Sequence, residues 1–164
     1  GRFLPSPNTP GQNMQFFITS KSYLEKAVAL DSTNFGMREN LGIINGMLGN
    51  FATAIINFEA ALQQLKEQEA RAGGNADNSY FSQNYHRIYR NLADTYYNQR
   101  SFRRAVEPYR EALRYNPGDR HTVIHLADCY LKGGDRQAAK ELLSSYLQQQ
   151  PGDQEVQQML QQIQ

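Results

Sequence analysis

The chain has 164 residues, with 17 lysines and arginines against 16 acidic residues and a net charge of +1 at pH 7, so no strong field draws it to nucleic acid or an anionic membrane. Its single cysteine, Cys129, excludes an intramolecular disulfide and a zinc site built on several thiolates. No apolar run approaches the roughly 20 residues that span a bilayer. The sequence reads as a soluble segment, cytoplasmic or extracytoplasmic, and as part of a larger protein or a whole one.

Residues 1–14 carry Pro5, Pro7 and Pro10 with Gly1 and Gly11, which disfavours helix and suits an extended linker or tail. From Gln15 onward β-branched residues are scattered, alternation is absent and helix formers dominate, so 15–164 is expected to be nearly all helix. A first helix over about 15–30 ends in the turn Asp31-Ser32-Thr33-Asn34. Phe16, Phe17, Tyr23 and Leu24 on it have no obvious cover. Such an edge packs on its own linker, marks where a longer array was cut, or pairs with a second copy.

Further along, Gly49-Asn50, Gly73-Gly74-Asn75, Pro117-Gly118-Asp119, Gly133-Gly134-Asp135 and Pro151-Gly152-Asp153 cut the chain into pieces of helix length. Aligning Pro117-Gly118-Asp119 with Pro151-Gly152-Asp153 sets a period of 34 residues. Leu92-Ala93 then meets Leu126-Ala127, Tyr96 meets Tyr130, Ala105 meets Ala139, and Tyr109 meets Leu143. Upstream, Leu41-Gly42, Ala54, Phe58 and Ala61 repeat the order at an offset of 51, a full period plus a 17-residue insertion. Leu24 and Ala27 stand one period before Phe58 and Ala61.

These registers place a half repeat at 15–34, full repeats at 35–68, 86–119 and 120–153, an insertion at 69–85, and a closing helix at 154–164 that covers the last hairpin with Val156, Met159, Leu160 and Ile163. Small residues opposite large ones are the packing code of two closely crossing helices. Asp119, Asp135 and Asp153 stand where helices begin, positioned to accept from first-turn amides. The insertion has two readings. It either lengthens the helices on both sides of a polar loop at Gly73-Gly74, or forms a loop whose Tyr80 and Phe81 reach over a ligand groove.

Tyr89, Leu92, Ala93, Tyr96, Ala105, Tyr109, Ala112 and Pro117 together resemble the tetratricopeptide repeat signature, with Ala for its Gly. Leu126, Ala127, Tyr130, Ala139, Leu143 and Pro151 repeat it, with Tyr146 for the last Ala. Leu41, Gly42, Ala54, Phe58 and Ala61 repeat it again, with Asn45 for Tyr and Lys66 for Pro. The resemblance implies an all-α, right-handed α-solenoid of antiparallel helical hairpins: three full repeats, a preceding half repeat and a C-terminal capping helix.

It also implies that the first helix of each hairpin lines a concave groove that binds a peptide or helix of another protein. Projected onto this sequence, the contact positions are Glu39, Asn40, Ile43 and Met47, then Arg87, Arg90, Asn91, Asp94, Tyr97 and Asn98, then His121, Ile124, His125, Asp128 and Lys132. Asn40 and Asn91 offer both donors and acceptors for a peptide backbone. Residues 86–120 hold eight arginines, of which Arg87 and Arg90 on the groove would favour an acidic partner, the rest being solvated or paired with Glu107 and Glu111. The family's chaperone-binding carboxylate clamp is not matched. Glu39 and Ile43 stand at its first-repeat Lys and Asn, and His121 and His125 replace its third-repeat cations.

His121 and His125 lie one helical turn apart with Asp128 near, which is metal-ligand spacing without the fourth ligand of a structural site, so no metal is assigned. Their protonation would instead tune affinity for an acidic ligand. Cys129 reads as a small core residue. No phosphate loop, nucleophile elbow or paired carboxylates appear, so no cofactor and no enzymatic reaction are expected. The alternatives to a groove-binding scaffold are self-association into a homo-oligomer through the open amino-terminal edge, and a regulatory or substrate-delivery region of a larger enzyme.

Overall fold

The computed structural model describes residues 10–73 and 78–163. Eight helices and no strand occur among them: α1 Pro10–Leu30, α2 Phe35–Met47, α3 Phe51–Ala72, α4 Asn78–Asn98, α5 Phe102–Tyr115, α6 Arg120–Gly133, α7 Arg136–Gln149 and α8 Gln154–Gln162. No helix among the described residues is long and apolar enough to cross a membrane. The chain divides inside α3 into two compact units, residues 1–64 and 65–164.

The first unit holds α1, α2 and the start of α3. The stretch expected as linker over 1–14 is corrected in part: α1 begins at Pro10, because proline lacks only an amide that a helix's first turn leaves unpaired anyway. Residues 1–9 lie outside the described residues. Between α1 and α2, Asp31 Oδ1 accepts from the Thr33 amide at 3.0 Å and its hydroxyl at 2.7 Å, and Asn34 Oδ1 caps α2 on the Met37 amide at 3.1 Å. Gln64 Nε2 donates to the Ser32 carbonyl.

Gly42 of α2 faces the Phe58 ring of α3 so closely that a Cβ there would sit 2.7 Å from a ring carbon. Ala54, Phe58 and Ala61 are buried around this crossing. Here the small-beside-large spacing acts as expected.

The second unit stacks α4 on α5, α5 on α6, α6 on α7 and α7 on α8. The insertion at 69–85 lengthens α3 to Ala72 and starts α4 at Asn78. Helical extension puts Phe81 in the core at 5% exposure, so the reading of Tyr80 and Phe81 as a groove-covering loop is corrected. Gly74 and Asn75 of the expected polar loop lie outside the described residues. Tyr85, Tyr89 and Tyr115 stack face to face, with centroids 4.9 Å apart for Tyr85 and Tyr115, and the Tyr85 hydroxyl donates to Glu69 Oε2 at 2.7 Å. At the other end Val156 and Ile163 are buried against Val123, Ala127, Ala139, Leu143 and Tyr146, and Met159 and Leu160 pack beside them.

Asp135 caps α7 through the Ala138 amide at 3.0 Å and Asp153 caps α8 through the Val156 amide at 3.2 Å. Asp119 begins α6 without capping it. Its Oδ2 is taken by the Thr122 hydroxyl at 2.6 Å and by His86 Nε2 at 2.9 Å, which turns the carboxylate from the helix amides to a pair with α4.

The three helix-to-helix turns inside the hairpins share one backbone shape. Gly49, Arg100 and Gly134 have φ of 75°, 61° and 85°. Each donates its amide to the carbonyl three residues back, and the next residue donates to the carbonyl five back: Gly49 to Gly46, Asn50 to Asn45; Arg100 to Tyr97, Ser101 to Tyr96; Gly134 to Leu131, Asp135 to Tyr130. This is the left-handed C-terminal cap that glycine adopts without strain. Arg100 is the one side chain among the three.

Candidate functional site

In the second unit, helical spacing puts Arg87, Arg90, Asn91, Asp94 and Asn98 on α4 and His121, His125 and Asp128 on α6. The structure joins the centre of this set. The Asp94 carboxylate accepts from the Tyr109 hydroxyl at 2.6 Å and faces His121 Nε2 at 3.1 Å. One turn along, the Tyr97 hydroxyl donates to Asp128 Oδ2 at 2.6 Å, and Lys132 reaches the same carboxylate. The two histidine rings stack with centroids 4.0 Å apart, and His125 meets the Tyr97 ring edge-on at 4.9 Å. Two cross-helix bonds thus bracket a stacked imidazole pair, and the surface between α4 and α6 is built before any ligand arrives.

The protonation of this surface follows from its partners. Burial raises the Asp128 carboxyl, but bonds from Lys132 and Tyr97 outweigh it and hold it below the usual carboxylate range. The Tyr97 phenol, donating to that carboxylate, is pushed up to about 12. Tyr109 is fully buried and strongly raised by burial and the Asp94 charge. Both tyrosines therefore remain donors at any physiological pH.

The outer members fall differently. Arg87 Nη2 bonds Asn84 Oδ1 at 2.6 Å on its own helix. Arg90 is half-buried and turned to Asp119 at 3.7 Å. The arginines expected to offer charge to a groove ligand are thus engaged within the unit. Asn91 is half-buried and Asn98 exposed. Arg110 with Glu107 at 3.3 Å, and Arg114 with Glu111 at 2.8 Å, form the pairs along α5 anticipated from spacing.

In the first unit Asn40 and Met47 are exposed and Ile43 half-buried on α2. Glu39, read as a contact residue, is buried at 3% exposure. Its repeat equivalents Arg90 and Ile124 are half-buried too, which puts this position on the flank of its helix.

The histidine pair does not assemble a metal site. His121 Nε2 faces Asp94, His125 Nδ1 faces the His121 carbonyl at 2.9 Å, and Asp128 is held by Tyr97 and Lys132. Among the described residues no group of three or more His, Cys, Asp or Glu side chains could hold a metal ion. Cys129 is buried, its thiol pushed up to about 12 by burial and by Asp128, which leaves no thiolate for nucleophilic work.

Sequence reasoning placed Tyr97 at a contact position and Tyr109 in the core, but missed that their hydroxyls fix the two carboxylates. The available signal was that Tyr97 and Asp128 stand 31 residues apart, so that stacking one hairpin on the next brings them together.

The described residues thus form an all-α repeat protein of antiparallel helical hairpins. Residues 98–163 match the family model of the tetratricopeptide repeat. No curated protein matches the chain. Solved structures with the same fold include one of the APC/C hetero-tetramer Cut9–Hcn1, at 19% identity over 93% of this chain and 28% of the other, with a TM-score of 0.67. MamA matches at 15% identity over 96% of this chain and 84% of the other, with a TM-score of 0.71. YrrB, described as a TPR protein with an unusual peptide-binding site, matches at 18% identity over 88% and 66%, with a TM-score of 0.63. The chain spans little more than a quarter of the Cut9–Hcn1 chain, and at these identities the likeness is one of fold.

Proposed function

We propose that the protein is an interaction scaffold whose α4–α6 face binds a peptide or helix of another protein. The observation that carries this reading is the pair of cross-helix bonds, Asp94 with His121 and Tyr97 with Asp128, which fix side chains on a partly exposed surface with no structural gap to fill. Fixed donors and acceptors lower the ordering cost of binding an extended chain. A TPR protein of the same fold, YrrB, carries a peptide-binding site according to its description. Since Asp94 and Asp128 sit beside the histidines and Arg87 and Arg90 are engaged, this face suits a neutral or mixed-charge segment better than a strongly acidic one.

Photo-crosslinking tests it: a benzoylphenylalanine placed at Asn98 is irradiated in native extract, with Gln137 as the control position. A partner that crosslinks from Asn98 but not from Gln137 supports the α4–α6 face; equal crosslinking from both refutes it.

A second reading, self-association, has its own observation. Phe16, Tyr23 and Leu30 are exposed at 64%, 69% and 91% and recur every seven residues, so they form one apolar stripe along α1. A mass that rises with concentration and returns to the monomer value in Phe16→Asp, Tyr23→Asp would favour this reading.

A further inference from the structure

Residues common to the repeats maintain the hairpin, so residues private to one repeat are where a separate task is to be sought. The turn between α4 and α5 is the clearest case. Its left-handed position is glycine in the repeat before and the repeat after, but Arg100 here, at φ 61°. A side chain in that conformation is disfavoured by local sterics, and backbone strain of this kind concentrates at binding sites.

Two neighbours are private as well. Arg103 stands where the other repeats have Ala52 and Gln137, and Arg104 where they have Thr53 and Ala138. Together with Lys132 from the end of α6 they line one cleft of about 340 Å³, whose remaining wall is Ser101, Phe102 and Gly133. The cleft lies wholly within the second unit, at the turn end of the hairpins, and shares Lys132 with the Asp128–Tyr97 network.

Its charges are ordered in part. Arg104 stacks over the Tyr96 ring at 4.7 Å, its Nη2 3.2 Å from the tyrosine hydroxyl, and Lys132 sits over the Phe102 ring at 5.0 Å. Of the four cations only Lys132 has an acidic partner among the described residues, Asp128. The Ser101 side chain makes no capping bond to the first turn of α5, while its carbonyl accepts from the Arg104 amide at 2.9 Å.

We propose that this cleft is a second binding site, specific for a phosphate monoester. A carboxylate can satisfy one guanidinium fork. Three guanidinium groups around one small cleft, beside an ammonium already paired with Asp128, call for a dianion with three terminal oxygens, each able to accept from a different donor. The bearer is either a phosphorylated side chain of a partner protein or a small phosphorylated molecule, and the test separates them.

The full chain, labelled with ¹⁵N, is titrated at low ionic strength with inorganic phosphate, with a phosphoserine-containing peptide of otherwise neutral sequence, and with a glutamate-containing peptide of that sequence. Saturable shifts of the Phe102, Arg103, Lys132 and Gly133 amides with phosphate and phosphopeptide are expected, with the glutamate peptide weaker than both. Phosphopeptide affinity well above that of inorganic phosphate assigns a protein partner; equal affinity assigns a small molecule. Arg100→Gly and Arg103→Gln, each first shown by circular dichroism to melt no earlier than wild type by more than a few degrees, should each weaken binding about tenfold, the loss of one charge-assisted contact. The proposal is overturned by non-saturating shifts, by glutamate binding as tightly as phosphoserine, or by Arg100→Gly binding like wild type. Should Arg103→Gln melt much earlier, Arg103→Lys replaces it: it keeps the charge but loses the fork, so weaker binding is expected and binding like wild type would count against a site built on guanidinium groups.

Discussion

Arg120 Nε lies 2.7 Å from Asp153 Oδ2, and one period earlier His86 Nε2 lies 2.9 Å from Asp119 Oδ2. Each pair joins the first residue of a repeat to its last, the aspartate at the start of the following helix. The rung therefore repeats with the fold and staples consecutive hairpins, independently of any ligand.

Its pH dependence follows from the Asp153 carboxyl. The bond from Arg120 holds it below the ordinary value of 3.8, with burial opposing and the Val156 amide and Tyr146 hydroxyl assisting. A depressed carboxyl contributes stability that is present above 3.8 and lost as pH falls through the lower folded-state value. Asp119 and Asp128 are lowered in the same direction. Melting temperature should hold from pH 7 to about 5 and fall steeply below about 4. In Asp153→Asn, which keeps a capping oxygen, the melting point should be lower at pH 7 and converge on wild type in acid. A constant difference across the range would mean that Arg120 contributes nothing through charge.

Gly42→Ala should destabilise the first unit. The new Cβ would lie 2.7 Å from the Phe58 ring, and Phe58, 1% exposed, has little room to retreat. Overpacking of this kind costs about 1–3 kcal/mol, against roughly 1 kcal/mol gained from helix propensity, so a net loss is expected. Chemical denaturation measures it, and an unchanged or raised midpoint would show that the hairpin can spread at this crossing.

Asn45→Leu should have the opposite sign. Asn45 is 1% exposed, donates to the Leu41 carbonyl at 2.8 Å, and leaves its Oδ1 buried with no partner. The other repeats hold Tyr96 and Tyr130 at this position. Replacing the amide by an apolar group with the same branched skeleton removes the orphaned acceptor, a gain of about 1–2 kcal/mol before any cost of the larger methyl groups. A lower denaturation midpoint would indicate that a bound water satisfies Oδ1.

Tyr97→Phe and Tyr109→Phe separate the site from the scaffold. Tyr109 is fully buried with its hydroxyl on Asp94, so its loss should cost about 1.5–3 kcal/mol, the range for a bond to a charged group. Tyr97 is half-exposed, and Asp128 keeps Lys132 when the phenol goes, so the stability cost should be under about 1 kcal/mol. The Tyr97 variant should nonetheless lose crosslinking at Asn98, because the ring that abuts His125 loses its anchor. Crosslinking retained in a folded Tyr97→Phe would separate the binding face from this network.

Much of this architecture was legible because it is periodic. Gly42 with Phe58, and Ala127 with Leu143, announce the hairpin crossings by size alone, and the aspartates at 119, 135 and 153 mark the helix starts. What resisted reading depends on where a flexible polar side chain ends. Asp119 has cap spacing, yet His86 and Thr122 compete successfully for its oxygens. Arg90 falls at a contact position of the repeat register, yet in the structure it is turned to Asp119. Pro10 looked like a helix breaker because the rule for proline inside a helix differs from the rule at its first turn.

Arg100→Gly carries the last prediction, because stability and binding should move apart in it. A left-handed conformation costs a non-glycine residue roughly 1–2 kcal/mol, while glycine restores about 0.5–1 kcal/mol of chain entropy to the unfolded state. The difference puts the variant between neutral and about 1.5 kcal/mol more stable than wild type. Gly49 and Gly134 already hold the same turn geometry at φ 75° and 85°, so nothing in the backbone needs to change. A protein that gains or keeps stability on losing this arginine retains it for something other than folding. If the variant instead loses more than about 1 kcal/mol, Arg100 stabilises its own turn, and its strained conformation no longer argues for a ligand.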